Sequence, residues 1–289
     1  MDDDFSTNQN VITGCARLCR SRNMGVSAIS YRWLVYQVAD SVATIRLNRP
    51  ENLNALHDEL LREIFLALGE AERDVSVRVL VVTGEGGAFC SGQDLKVFAG
   101  GVTEEEVHRH LDDFYHPVVR KFRSIPKPIV AAIPGVAAGA GMSLALAADL
   151  RIAAQTARFS QAFVRIGLVP DSGSTYFLPR LIGPARALEM AWLGDGIDAE
   201  TAKSWGLVNW VVAADELPAS TKELTARLAE GPPLAVAMIK QAIYRGMDET
   251  LDDTLEFEKR LQGRAVVTAD HQTGLKAFFA KTRPVFTGR

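Results

Sequence analysis

The sequence predicts an α/β fold that ends in an all-helical part. Three observations carry this prediction. From Trp33 to Val212 short β-branched runs alternate with stretches of helical period, the order expected of a largely parallel sheet flanked by helices. Two of those runs pass directly into glycine-rich turns, one through Gly84, Gly86, Gly87 and Gly92, the other through Gly135, Gly139 and Gly141. From Asp215 onward only helical periods remain.

Taken in order, residues 1–28 carry no period. Asp2, Asp3 and Asp4 precede Arg17, Arg20 and Arg22, a mixture too acidic for an organellar transit peptide. They read as a disordered extension, with 29–214 as the α/β core and 215–289 as the helical region. Trp33 to Val38 and Val42 to Leu47, joined by Ala39-Asp40-Ser41, alternate as the arms of a β-hairpin. Asn54 or Asp58 can cap the next helix, whose buried stripe is Leu60, Leu61, Ile64, Phe65 and Leu68 and whose end is Asp74. Arg78 to Thr83 is a Val-rich strand, continuous as strands covered on both faces are. A helix capped by Thr103, with Glu106 three residues on, runs to Ser124, where Ile125-Pro126-Lys127-Pro128 stops it.

The strand ending at Ile133 then leads through the second glycine turn straight into a helix of small apolar residues that finishes near Asp149. Leu150 to Ala154 and Ala157 to Ser160 follow as strands, then two helices split by Gly183-Pro184, then a last strand near Val212. Beyond it, Leu251, Leu255, Phe257 and Leu261 stripe one long helix, on which Glu256 and Arg260 pair. Leu275, Phe278 and Phe279 stripe another. Such apolar faces predict packing on the core or on another subunit.

Composition narrows the function. A chain of 289 residues, 47% hydrophobic and 23% charged, is an ordinary globular protein, and its net charge of −3 leaves no footprint for nucleic acid or an anionic membrane. Its apolar runs are too short and too interrupted by charge to span a bilayer. An odd number of cysteines, Cys15, Cys19 and Cys90, argues against a disulfide framework and suits a reducing, cytoplasmic compartment. His108 and His110 stand two apart on a helix and face different ways, so no metal site is expected.

The glycine turns do not match the phosphate-binding patterns. A dinucleotide fingerprint would need a glycine where Leu144 stands, and Asp149 comes too early; neither turn carries the lysine of a phosphate loop. Two strand-turn units at one end of a sheet can instead aim two backbone N–H groups at a single oxygen. Losing one such donor typically costs about 2.7–4 kcal/mol of transition-state stabilisation. A thioester carbonyl is the kind of group that benefits, because removal of its α-proton leaves charge on that oxygen.

With these motifs the sequence resembles the crotonase, or enoyl-CoA hydratase/isomerase, superfamily over residues 31–289. The resemblance rests on Leu47-Asn48-Arg49-Pro50 with Leu53-Asn54-Ala55-Leu56, on Gly87 to Leu95, on Gly135 through Asp149, and on Gly167-Leu168-Val169-Pro170-Asp171. It implies a spiral of ββα turns with a C-terminal helical trimerisation region, assembled as a homo-trimer or a dimer of trimers. It also implies an acyl-CoA substrate, no cofactor beyond that coenzyme A, and an oxyanion hole made by the backbone N–H groups of Gln93 and Ala140. Coenzyme A would lie near Glu51, Asn52 and Leu53 and across Gln93, Asp94, Leu95 and Lys96, with Phe278 and Lys281 reaching a neighbouring subunit's nucleotide.

The departures from the family pattern decide the chemistry. The two glutamates of the hydratases are replaced by Ser143 and Phe163, neither of which takes up a proton near neutral pH. The remaining carboxylate is Asp171, and here the sequence looks like the phenylacetate-pathway 1,2-epoxyphenylacetyl-CoA isomerase branch, in which an aspartate at this position does the acid/base work. An apolar pocket to which Phe163 and Phe98 contribute would raise its pKa. Ser143 could orient a water, and Cys90 reads as packing under its turn rather than as a nucleophile.

The expectation is therefore an acyl-CoA isomerase. A hydratase or hydrolase using Asp171, and a non-catalytic binding protein of the same fold, stand behind it. For Asp171 the competing role is N-cap of the helix after Ser172-Gly173-Ser174.

Overall fold

The computed structural model describes residues 30–98 and 100–289, the side chains of Val97 and Phe98 excepted. The extension expected over 1–28 and the pocket role of Phe98 lie outside the described residues. From Tyr31 to Arg289 the chain clusters as one unit.

β1 (Leu34–Ala39) and β2 (Val42–Leu47) form the expected hairpin. Asp40 and Ser41 turn it with φ of 50° and 62°, the two positive angles that match the twist of a tight hairpin. α1 (Asp58–Arg73) follows. Its cap is His57, whose ring accepts from the N–H of Leu60 at 3.2 Å, and neither Asn54 nor Asp58 caps it. Asn54 is consumed elsewhere: fully buried, it accepts from Arg49 N–H and donates to the carbonyls of Glu85 and Ala88, each at 2.9 Å. Phe65, expected in the buried stripe, is 41% exposed, and Ala67 and Ala71 complete that face instead.

β3 (Val79–Gly84) pairs parallel with β2. α2 (Glu104–His110) begins with the reciprocal Thr103–Glu106 cap and passes through a π turn, Leu111–Tyr115, into α3 (His116–Ser124). β4 (Ile129–Ile133) does not enter its helix directly as expected. A short strand, β5 (Val136–Ala138), intervenes before α4 (Ala140–Ala147). β6 (Leu150–Ala154) and β7 (Arg158–Ser160) come next. After them stand α5 (Ser174–Ile182), α6 (Pro184–Leu193), the two-residue β8 (Ile197–Asp198), α7 (Ala199–Ser204) and β9 (Trp210–Val212).

Two ladders run side by side. The main sheet has the order β1-β2-β3-β4-β6-β9 and is parallel from β2 onward. The second is thinner. It steps from Leu56 to Gln93, from Cys90 to Ala137, and on to the parallel pair β5 and β7. Each turn of chain thus gives a strand to the first ladder, a short extended piece to the second and, in most turns, a helix, so the ends of β3 and β4 emerge side by side. The main core fills one side of the sheet with Ile45, Leu47, Leu60, Ile64, Phe89, Phe122 and Phe159. Val79, Val81, Val130 and Ile152 form a smaller core on the other side with α8 (Leu217–Ala229).

The remaining helices are α9 (Pro233–Gly246), α10 (Leu251–Val266) and α11 (Ala269–Ala280). On α10 Glu256 pairs with Lys259 rather than Arg260, whose guanidinium lies over the Phe257 ring. The stripe residues Leu251, Leu255, Phe278 and Phe279 are exposed. Among the described residues no helix is long and apolar enough to cross a membrane.

Candidate active site

The second ladder brings the two glycine turns together. Ala138 N–H donates to Cys90 O at 3.0 Å, and Cys90 N–H to Val136 O at 3.0 Å. A Cβ on Gly92, whose φ is +105°, would stand 3.0 Å from Ala138 O and 3.6 Å from the nitrogen of Ala140. The turns therefore meet main chain to main chain, and glycine at 92 is what permits both the angle and the approach. Gly141 serves the same contact from the other side, since a Cβ there would run into the carbonyl and thiol of Cys90.

Gln93 follows Gly92, and Ala140 opens α4. The flanking peptides are occupied: Leu56 N–H donates to Gly92 O at 2.7 Å and Asp94 N–H to Leu56 O at 2.8 Å. Among the described residues neither Gln93 N–H nor Ala140 N–H has a hydrogen-bond acceptor. Ala140 N–H is one of the donors a helix start leaves free, at the positive end of its dipole. Ala140 keeps ordinary negative φ, so alanine costs nothing there.

Beside Ala140 lies an internal cavity of about 10 Å³, room for about one water, walled by Tyr115, Val119, Leu144 and Ser172 among others. Asp171 adjoins it. Its side chain caps nothing: α5 starts behind Gly173, with no side-chain hydrogen bond at its cap. Instead Asp171 Oδ1 accepts from the Ser172 hydroxyl at 2.9 Å. Burial pushes its carboxyl above the ordinary range, against the opposing pull of that hydroxyl and of His116 and His110. Phe163 is buried, with its ring edge against Gly139.

The other predicted residues divide into three groups. Asn52, Leu53 and Asp94 gather at one edge: Arg49 donates to Asp94 Oδ2 at 3.1 Å and Asn52 Oδ1 at 3.2 Å, and Ser91 N–H donates to Leu53 O at 2.9 Å. Burial alone would raise Asp94, but the Arg49 guanidinium and the Lys96 N–H outweigh it and hold the carboxyl below its usual range. Glu51, Leu95 and Lys96 are exposed around this edge. Ser143 is fully buried and donates to Gly139 O at 3.2 Å, which commits its proton to its own helix. Phe278 and Lys281 stand exposed at the end of α11, and no hydrogen bond or salt bridge among the described residues joins them to this group. Cys90 is fully buried with its thiol pushed up to about 12, as an inert packing residue should be.

Two residues enter that the sequence reading passed over. Tyr115 is buried, its hydroxyl is without a partner among the described residues, and burial with the nearby Asp171 charge drives its pKa up. His110 lies with its ring 5.3 Å from Phe114 and 5.4 Å from Tyr115. The π turn explains both, because one extra residue per turn brings positions five apart to the same side.

Comparison with known proteins follows from this geometry. The sequence profile described as "Enoyl-CoA hydratase/isomerase" matches residues 37–289. The chain belongs to the enoyl-CoA hydratase/isomerase family. That family acts on acyl-CoA substrates. The chain is 42% identical over 260 residues to the 1,2-epoxyphenylacetyl-CoA isomerase of Escherichia coli, covering 89% of this chain and 99% of that one. It is 35% identical to the short-chain-enoyl-CoA hydratase of Clostridium acetobutylicum, over 86% of this chain and 95% of the relative. The crystal structure of an enoyl-CoA hydratase from Bacillus anthracis superposes with a TM-score of 0.85 at 35% identity, covering 89% of this chain and all of that one. The expected crotonase fold is thus the fold of this enoyl-CoA hydratase/isomerase family member.

Proposed function

We propose that this protein is an acyl-CoA isomerase that moves a double bond next to a thioester, or converts ring-1,2-epoxyphenylacetyl-CoA to its oxepin. The observation that carries the proposal is a half-buried carboxylate, Asp171, free of any capping duty and next in the chain to Ser172, which walls the same small cavity as Ala140, one of two unpartnered amides on abutting turns. In a 3-enoyl thioester, Asp171 takes a proton from C2 and becomes a carboxylic acid. The electron pair spreads through the dienolate onto the thioester oxygen, which receives the N–H groups of Gln93 and Ala140. The same acid returns the proton at C4, giving the 2-enoyl thioester. No electron is gained or lost, so the reaction uses no cofactor beyond the coenzyme A of its substrate. Burial near Tyr115 raises the basicity of the carboxylate, and the buried Phe163 against Gly139 limits water at the enolate.

The test is turnover of 3-enoyl, 2-enoyl and ring-epoxide phenylacetyl-CoA in oxygen-18 water. Isomerisation without label, lost in Asp171→Asn, is the expected result. A second reading, hydration by Asp171 with a bound water, is favoured by the likeness to the Clostridium hydratase. Label in a 3-hydroxyacyl product would establish it and end the isomerase reading. Self-association as a homo-trimer or dimer of trimers fits the exposed Leu251, Leu255, Phe278 and Phe279, and a mass measurement in solution tests it.

A further inference from the structure

His110 lies outside every role so far assigned, yet it touches the site's main-chain donor residue. Its Nε2 is 3.2 Å from the side-chain nitrogen of Gln93, and its Nδ1 is 3.5 Å from Asp58 Oδ1. An amide nitrogen only donates, so Nε2 accepts. The ring proton of the neutral imidazole then sits on Nδ1, facing the carboxylate. Asp58 Oδ1 is a buried atom with no hydrogen bond of ordinary geometry among the described residues, and the His110 ring faces it at 3.5 Å.

These contacts close a ring. The main chain at residue 93 is held from one side by Leu56, which accepts from Asp94 N–H and donates to Gly92 O. The side chain of Gln93 is held from the other side by His110, and His110 is backed by Asp58, two residues beyond Leu56. On the far side Arg49 holds the Asp94 carboxylate at 3.1 Å, and past it the chain leaves the ladder for a short exposed turn at Leu95. We propose that His110 is a positioning residue of the thioester site, fixing residue 93 so that its N–H stays aimed at the thioester oxygen. The inference rests on the oxyanion reading above and adds what holds one of its two donors in place. The charged and titratable groups around the ring are Asp58 on α1, Asp171 before α5, Tyr115 and His116 in its own helical run, and Arg62 over the far ring of Phe114. Misplacing a reacting group by about 1 Å can cost on the order of a hundredfold in rate, so a partly released amide is expected to cost less than its outright loss.

The experiment compares wild type, His110→Ala, His110→Gln and Asp171→Asn in two assays. One is kcat and KM for 3-enoyl-CoA isomerisation. The other is the ultraviolet absorbance of the enolate of bound acetoacetyl-CoA, which reads the oxyanion hole without requiring turnover. His110→Ala is expected to lower kcat about tenfold, leave KM within about twofold, and weaken the enolate signal. His110→Gln, which can still hydrogen-bond the Gln93 amide, is expected to recover most of both. A wild-type enolate signal in His110→Ala, or equal loss of kcat, KM and melting temperature with no rescue by Gln, overturns the inference. If wild type polarises acetoacetyl-CoA but isomerises nothing, or Asp171→Asn isomerises at full rate, the functional reading falls and the His110 effect on the enolate signal stands. If wild type gives no enolate signal, both fall.

Discussion

The Ser172 hydroxyl donates to Asp171 Oδ1 across 2.9 Å, a bond between neighbours that opposes what burial does to the carboxyl. Burial raises the pKa of Asp171, and this bond opposes that rise. As a base, Asp171 works only when ionised, so kcat falls as pH drops through its raised pKa. Ser172→Ala removes one lowering influence and is expected to shift this acid limb to higher pH. A pH–rate profile checks it.

The same shift has a stability consequence. A carboxyl whose folded pKa lies above its unfolded value contributes fully below the unfolded value and loses that contribution as pH rises through the folded one. Asp171→Asn cannot ionise, so it is expected to melt above wild type at neutral pH, with the difference vanishing in acid. Its isomerase rate is expected to drop by about 10²- to 10⁴-fold.

Gly92 joins a positive φ to a tight approach on Ala138 O. Gly92→Ala is expected to cost about 1–3 kcal/mol of stability from backbone strain. By spreading the two turns it should also lower kcat by about a hundredfold. Urea denaturation and steady-state kinetics on the same sample separate the two losses.

Asn54 satisfies three main-chain groups at once, all in the segment that carries the first turn. Asn54→Ala leaves them unpaired in the interior. A loss of about 3 kcal/mol or more is expected, measurable as a lower urea midpoint with unchanged slope.

Lys240 on α9 donates to Asp149 Oδ2 at 2.8 Å and to the carbonyls of Phe122 and Lys127. Asp149 also accepts from Tyr244 and from Ile129 N–H, tying the helical region to the end of α4. Lys240→Met leaves that half-buried carboxylate without its counter-charge and is expected to cost about 3 kcal/mol. Urea unfolding of the variant measures it.

How far the sequence could be read depended on the length of each signal. The β1–β2 hairpin, the Val-rich β3, the helices from α8 onward and both glycine turns each repeat a period or a residue type over enough positions to stand out. The second ladder does not, since its steps at Leu56, Cys90 and Gln93 are single residues and β8 has only two. His57 took the α1 cap because Asn54 was already committed to backbone groups some thirty residues away, a long-range competition that local propensity cannot register. His110 was dismissed on regular helical spacing, and the π turn that places it beside Tyr115 has no local signature. The family resemblance pointed to residues 93, 140 and 171, but Asp171's freedom from capping was visible only once Gly173 was seen to open α5.

The contact of Gly141 and Gly92 with the opposite turn sets how closely the two turns approach. Leu144, Val119 and Ser172 of the small cavity beside Ala140 take no part in that contact. The residues lining the cavity, and the acids beside it, are therefore at liberty to change without detuning the frame. One scaffold can in this way be re-dressed for hydration in some descendants and for double-bond migration in others.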